Sequence, residues 1–134
     1  MKTNQEIFNQ VADHLMKQGR KSLLMTDNYT ALCAYRGADG ASCAVGCLIS
    51  DDFYSEELEG GGIMAAVQVA LHNSGVPIID DTFLSLLCQL QNVHDKCEPS
   101  RWADDLHVVA MKFGLELPAS VLANLGEGNA GELS

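Results

Sequence analysis

The residues able to do chemistry in this chain fall into two clusters. The denser is Cys33-Ala34-Tyr35-Arg36, then Gly40, then Cys43-Ala44-Val45-Gly46-Cys47-Leu48-Ile49; the second, far along the chain, is His94-Asp95-Lys96-Cys97. Three readings compete for them. In the first, Cys43 opens a helix whose free backbone amides lower its thiol pKa. His94 points inward from its helix and acts as the base, as in a cysteine-dependent hydrolase or transferase. Asp95 is the third catalytic candidate, but consecutive residues on a helix diverge, which makes it a poor orienter of His94. In the second reading, Cys43-x3-Cys47 and His94-x2-Cys97 supply four zinc ligands. The spacing speaks against that, because the close pair of a structural zinc site is CxxC. In the third, free cysteines are small buried hydrophobes, Cys88 packs beside Leu87, and His94 is a hydrogen-bonded residue at the end of an apolar stripe. This structural reading demands least, and it implies no metal and no cofactor.

The acidic residues receive the same treatment. Asp51, Asp52, Glu56, Glu57 and Glu59 form a local negative patch with Phe53 and Tyr54 inside it. A solvated loop would explain it; so would a recognition surface, with carboxylates for a basic partner and aromatic anchors. The spacing is not that of an EF-hand loop, so calcium is not expected. Arg36 can pair with one of these carboxylates. Asp80-Asp81 and Asp104-Asp105 read as helix N-terminal charges.

Helices must position most of these groups. Thr3-Asn4-Gln5-Glu6 is a capping box, followed by Ile7, Phe8, Val11, Ala12, Leu15 and Met16 at helical spacing and a stop at Gly19. Residues 29–35 read as a strand, residues 37–40 as a turn and residues 41–43 as the returning strand of a small β-hairpin. Residues 51–62 are acidic, then glycine-rich, and read as an exposed connection. A second helix carries Ile63, Met64, Val67, Ala70 and Leu71. A third, capped by Asp80 or Asp81, carries Phe83, Leu86, Leu87, Leu90 and His94. The fourth starts near Ser100 and presents Trp102, Leu106, Val109, Ala110 and Phe113 up to Gly114. About four amphipathic helices around one hairpin make an α+β fold, mainly α. Residues 1–117 are expected to form one globular domain. A short helical turn follows Pro118 and residues 126–134 form a mobile tail.

Composition narrows the class. With 134 residues the chain can bury a core without a metal or disulfide. The first residues lack an apolar run, so a secretory signal is not expected, nor is any stretch long enough for a membrane span. Five cysteines without an export signal imply reduced thiols and a cytoplasmic location. Net charge is −10, and only Lys17, Arg20 and Lys21 cluster among the basic residues, where the negative end of the first helix explains them. A basic stripe for tracking phosphates is missing, so direct nucleic-acid binding is not expected. The charge favours a partner protein with a basic surface, and a homodimer is compatible with it.

The order C-x-Y-R-x3-G-x2-C-A-x-G-C-L-I, from Cys33 to Ile49, resembles a group of small uncharacterised bacteriophage, prophage and plasmid proteins. The likeness extends to Asp-x-x-Tyr (Asp51, Tyr54), Glu59-Gly60, Leu90-Gln91 with His94-Asp95, and Trp102. It leaves the segment after Leu117 outside, and Ser50 stands where the group's pattern has proline, which would leave the turn less rigid. The resemblance implies an accessory protein of a mobile element in a bacterial cytoplasm. By analogy with small acidic phage inhibitors, it further implies an anti-defence inhibitor of a host nucleic-acid-handling or immune complex.

Overall fold

Helix α1 (Asn4–Gln18) begins where the sequence supplies a cap. The Thr3 hydroxyl accepts from the Glu6 N–H at 3.1 Å while the Glu6 carboxylate accepts from the Thr3 N–H at 3.0 Å. Ile7, Phe8, Val11, Ala12 and Leu15 are all buried, and Gly19 ends the helix in the left-handed conformation. The computed structural model describes residues 3–25, 30–59, 63 and 65–125; Tyr29, Met64, residues 60–62 and the tail 126–134 lie outside the described residues.

Three more helices follow the expected stripes, except that Ile63 falls before the first residue of the second helix. Helix α2 (Ala65–Asn73) buries Val67, Ala70 and Leu71. Helix α3 (Asp81–Lys96) is capped by Asp80, which accepts from the Phe83 N–H at 2.8 Å, and buries Phe83, Leu86, Leu87, Leu90, Val93 and His94. Helix α4 (Trp102–Phe113) buries Trp102, Leu106, Val109 and Ala110 behind a 3-10 turn at Pro99–Arg101. Helix α5 (Ala119–Leu122) follows Pro118 and packs on α1 and α4 with Val121 fully buried. Helices α1, α3 and α4 pack on one another around Trp102, the largest fully buried side chain. Each leucine so enclosed contributes about 1.5–3 kcal/mol of hydrophobic stabilisation. Among the described residues no helix is long and apolar enough to cross a membrane. The fold is α+β, mainly α.

The hairpin keeps a strand within the expected residues 29–35 but pairs it with a different partner than the sequence suggests. Strand β1 (Leu23–Met25) pairs antiparallel with β2 (Ala31–Cys33), Leu24 opposite Leu32. The expected return strand at residues 41–43 makes a single bridge, Arg36 to Ser42. Two local facts explain this. Residues 38–40 curl tightly, with Asp39 at φ 58° and Gly40 at φ 76°. The N–H of Tyr35, which a return strand bridged at Arg36 and Ser42 would use, is taken by the Glu59 carboxylate.

Cysteine burial also departs from expectation. Cys43 is fully buried, Cys47 and Cys97 are partly buried, and Cys33 and Cys88 are exposed. Position 88 falls off the stripe of α3, since a step of one residue rotates about 100° away from Leu87.

Candidate functional site

The last turn of α3 holds the most connected polar group in the interior. His94 is fully buried and stacks on Trp102, ring centroids 5.5 Å apart. The Ser22 N–H donates to His94 Nε2 at 2.8 Å. A backbone N–H can only donate, so Nε2 carries no proton and Nδ1 does. Nδ1–H then donates to Asp95 Oδ1 at 2.7 Å. Asp95 therefore orients His94, against the expectation from sequence. The divergence rule concerns Cβ directions; Nδ1 lies close to the backbone, and Gln91 draws Asp95 back along the helix with contacts of 3.1 and 3.3 Å. Gln91 also accepts from the Val45 N–H at 3.0 Å. One chain of hydrogen bonds thus joins the loop at Val45, helix α3 and the root of β1.

Cys43 lies on the loop side of this network. It precedes a turn and a three-residue 3-10 segment (Gly46–Leu48), not the regular helix that thiol activation needs. Its sulfur accepts from the Gly46 N–H at 3.3 Å. Burial pushes its pKa up to about 12, outweighing the lowering by Gly46 and Gln91. Both His94 nitrogens are already committed, so the ring has no free lone pair with which to take a proton from the Cys43 thiol. The geometry does not make an activated Cys43–His94 pair.

The four ligands of the disfavoured zinc reading, Cys43, Cys47, His94 and Cys97, form no cluster within ligating reach among the described residues. Cys47 donates to the Ala44 carbonyl at 3.1 Å, and the Cys97 thiol pKa is raised to about 11 by burial and the nearby Asp105 carboxylate. A different trio does approach: ligand atoms of Cys33, His94 and Asp95 lie within 4.8 Å of one another. The proton count works against an ion there. To ligate, His94 must give up either its bond to Asp95 or its bond from Ser22, and metallation at Nδ1 while Nε2 still accepts would demand an imidazolate. Cys33 is also held as a thiol, first by partial desolvation and then by Asp95.

The acidic segment is built differently from a plain loop. Two 3-10 turns, Asp51–Phe53 and Glu56–Leu58, carry it. Beneath them Glu59 accepts from the N–H of Tyr35 (2.8 Å), the N–H of Arg36 (3.1 Å) and the Tyr54 hydroxyl (2.6 Å). The Arg36 guanidinium lies 5.0 Å from the Tyr54 ring centroid, pairs with Asp51 and donates to the Ile49 carbonyl. Of the seven residues expected at a partner surface, Tyr54 and Glu59 therefore face inward and Asp51 is shared with Arg36. Asp52, Phe53, Glu56 and Glu57 are exposed. Ser50, at the position where proline was expected, donates its N–H to the Ser74 hydroxyl at 2.8 Å, tying the rim to the end of α2. Proline could not make that bond.

Compared with known proteins, the chain matches no family model, no curated protein and no solved structure. The cluster of cysteines and glycines at residues 33–49 accordingly has to be read from its geometry. Gly46 sits against the Tyr35 carbonyl, where an added Cβ would come within 2.1 Å of the oxygen. Tyr35 and Arg36 are clamped by Glu59, and Cys43 is packed beneath. The sequence marks Gln91 only within the resemblance, without its role, and does not mark Ser22. Gln91 carried a signal, one helical turn before Asp95; Ser22 carried none, because its role is a backbone N–H.

Proposed function

We propose that this chain is a small acidic protein-binding factor of a mobile element, which docks its rim at residues 51–57 on a basic surface of a host protein. The observation that carries this is the clamp of Arg36, Tyr54 and Glu59. It uses the inward half of the acidic segment to fix the backbone, so that Asp52, Phe53, Glu56 and Glu57 are presented outward on a tied-down support. Pre-ordering of that kind lowers the entropic cost of association. The carboxylates steer a basic partner and raise the association rate, while Phe53 supplies an apolar anchor. The net charge of −10 supports the same direction. The resemblance to phage and plasmid proteins supports a role as inhibitor of a host nucleic-acid-handling or immune complex.

The test is capture of such complexes from a bacterial lysate by the full chain at low salt. The wild-type chain should retain a basic protein that moderate salt elutes. The triple variant D52K/E56K/E57K should lose it. F53A should weaken it by about tenfold or more, as expected for an anchor worth over 1 kcal/mol. Retention by the triple variant equal to that of wild type would rule out the rim as the docking surface.

A further inference from the structure

Between α3 and α4 runs a groove of about 260 Å³ whose lining includes Asn92, Val93, Cys97, Asp105, Val108 and Val109. Three of these are valines, so the walls are largely apolar. Among the polar residues of the lining Asp105 stands out: its Oδ2 is buried and has no hydrogen-bond partner. Burial, and after it the nearby Asp105 carboxylate, push the Cys97 thiol pKa up to about 11. A carboxylate oxygen removed from water without a partner is costly. The position of Asp105 in the first turn of α4 offsets part of that cost through the helix dipole. Lys96 lines the same groove, yet among the described residues its ammonium makes no ion pair with Asp105.

We infer that this groove receives a single lysine side chain of the basic partner, its ammonium on Asp105 and its alkyl stem along Val93, Val108 and Val109. The inference rests on the reading of a basic partner and names a second, distinct point at which this chain grips it. Lysine suits the site better than arginine. One carboxylate oxygen lacks a partner, a demand that a point-like ammonium meets, whereas a guanidinium gains its advantage by engaging two. The unbranched stem matches the valine walls.

A titration of the full chain with blocked lysine (Nα-acetyl-lysine amide), followed by amide NMR shifts, tests this without any partner protein. Saturable shifts are expected at the amides of Val93, Cys97 and Val109. Blocked norleucine, which has the stem and lacks the ammonium, should bind about tenfold more weakly or less. D105N should erase the preference for lysine over norleucine. V108W, a change at an exposed position that leaves the core alone, should close the groove and abolish the shifts. Equal binding of the two ligands, no saturable shift in the wild type, or an undiminished lysine preference in D105N would each overturn the inference. The D52K/E56K/E57K variant should bind blocked lysine as the wild type does, so failure of the groove and failure of the rim are separate results.

Discussion

A thiol pressed among apolar side chains keeps its proton because the thiolate would lose its hydration. Cys43 is that case, with its pKa raised from 9.0 to about 12 mainly by burial. The consequence for stability has a definite sign. Below about pH 9 folded and unfolded chains both hold the proton and nothing changes. Between about 9 and 12 the unfolded chain releases it and the folded chain does not, so stability falls as pH rises. Cys97, raised to about 11, adds to the same trend. Urea midpoints measured from pH 8 to 10.5 should therefore decline, and C43A should show a shallower decline than wild type. Its unfolding free energy at pH 8 should be lower by about 1 kcal/mol for the small cavity left behind. A steeper alkaline decline in C43A would contradict the assignment of Cys43 as a buried neutral thiol.

At the scale of elements, His94 is a clasp. It links helix α3 to the root of β1 through Ser22, while Gln91 and Asp95 extend the link to the loop at Val45. H94A should cost about 3 kcal/mol or more, since it opens a cavity under Trp102 and strands the Ser22 N–H. Hydrogen exchange at Ser22 and Ala34 should speed up more than at α1. D95N should cost only about 1 kcal/mol, because its amide oxygen still accepts from Nδ1. Near-wild-type exchange at Ser22 in H94A would remove the clasp from the account. The same network explains what could be read in advance. The helices were legible because their signals are local: the Thr3–Glu6 box, the Asp80 cap, the apolar stripes and the glycines at 19 and 114. The hairpin was not, because a three-residue strand pair has little stability of its own and depends on contacts from residues about seventy positions away, Ser22 to His94. The chemistry-bearing cluster was visible as a density of cysteines and glycines. Its roles were not, because they were set by Glu59 and Gln91, whose reach across the fold no spacing encodes.

For the whole molecule the governing quantity is a net charge of −10 gathered in part on one rim. Like charges held close repel, and folding holds them closer than the unfolded chain does. Asp52, Glu56 and Glu57 are exposed, and among the described residues none of the three takes part in an ion pair. If they stand on the rim for a partner and not for the fold, removing their charge should relieve repulsion. The variant D52N/E56Q/E57Q takes the net charge from −10 to −7. It should be as stable as wild type or more stable by about 0.5 kcal/mol at low ionic strength. That gain should shrink above about 0.1 M salt, where the screening length is about 10 Å. The same variant should lose the captured partner, which is the opposition between stability and binding expected of a functional surface. A calorimetric scan at low and moderate salt, run beside the capture assay, reads both. Destabilisation of the variant with binding intact would mean that these carboxylates serve the fold, and the docking surface would have to be sought elsewhere on the molecule.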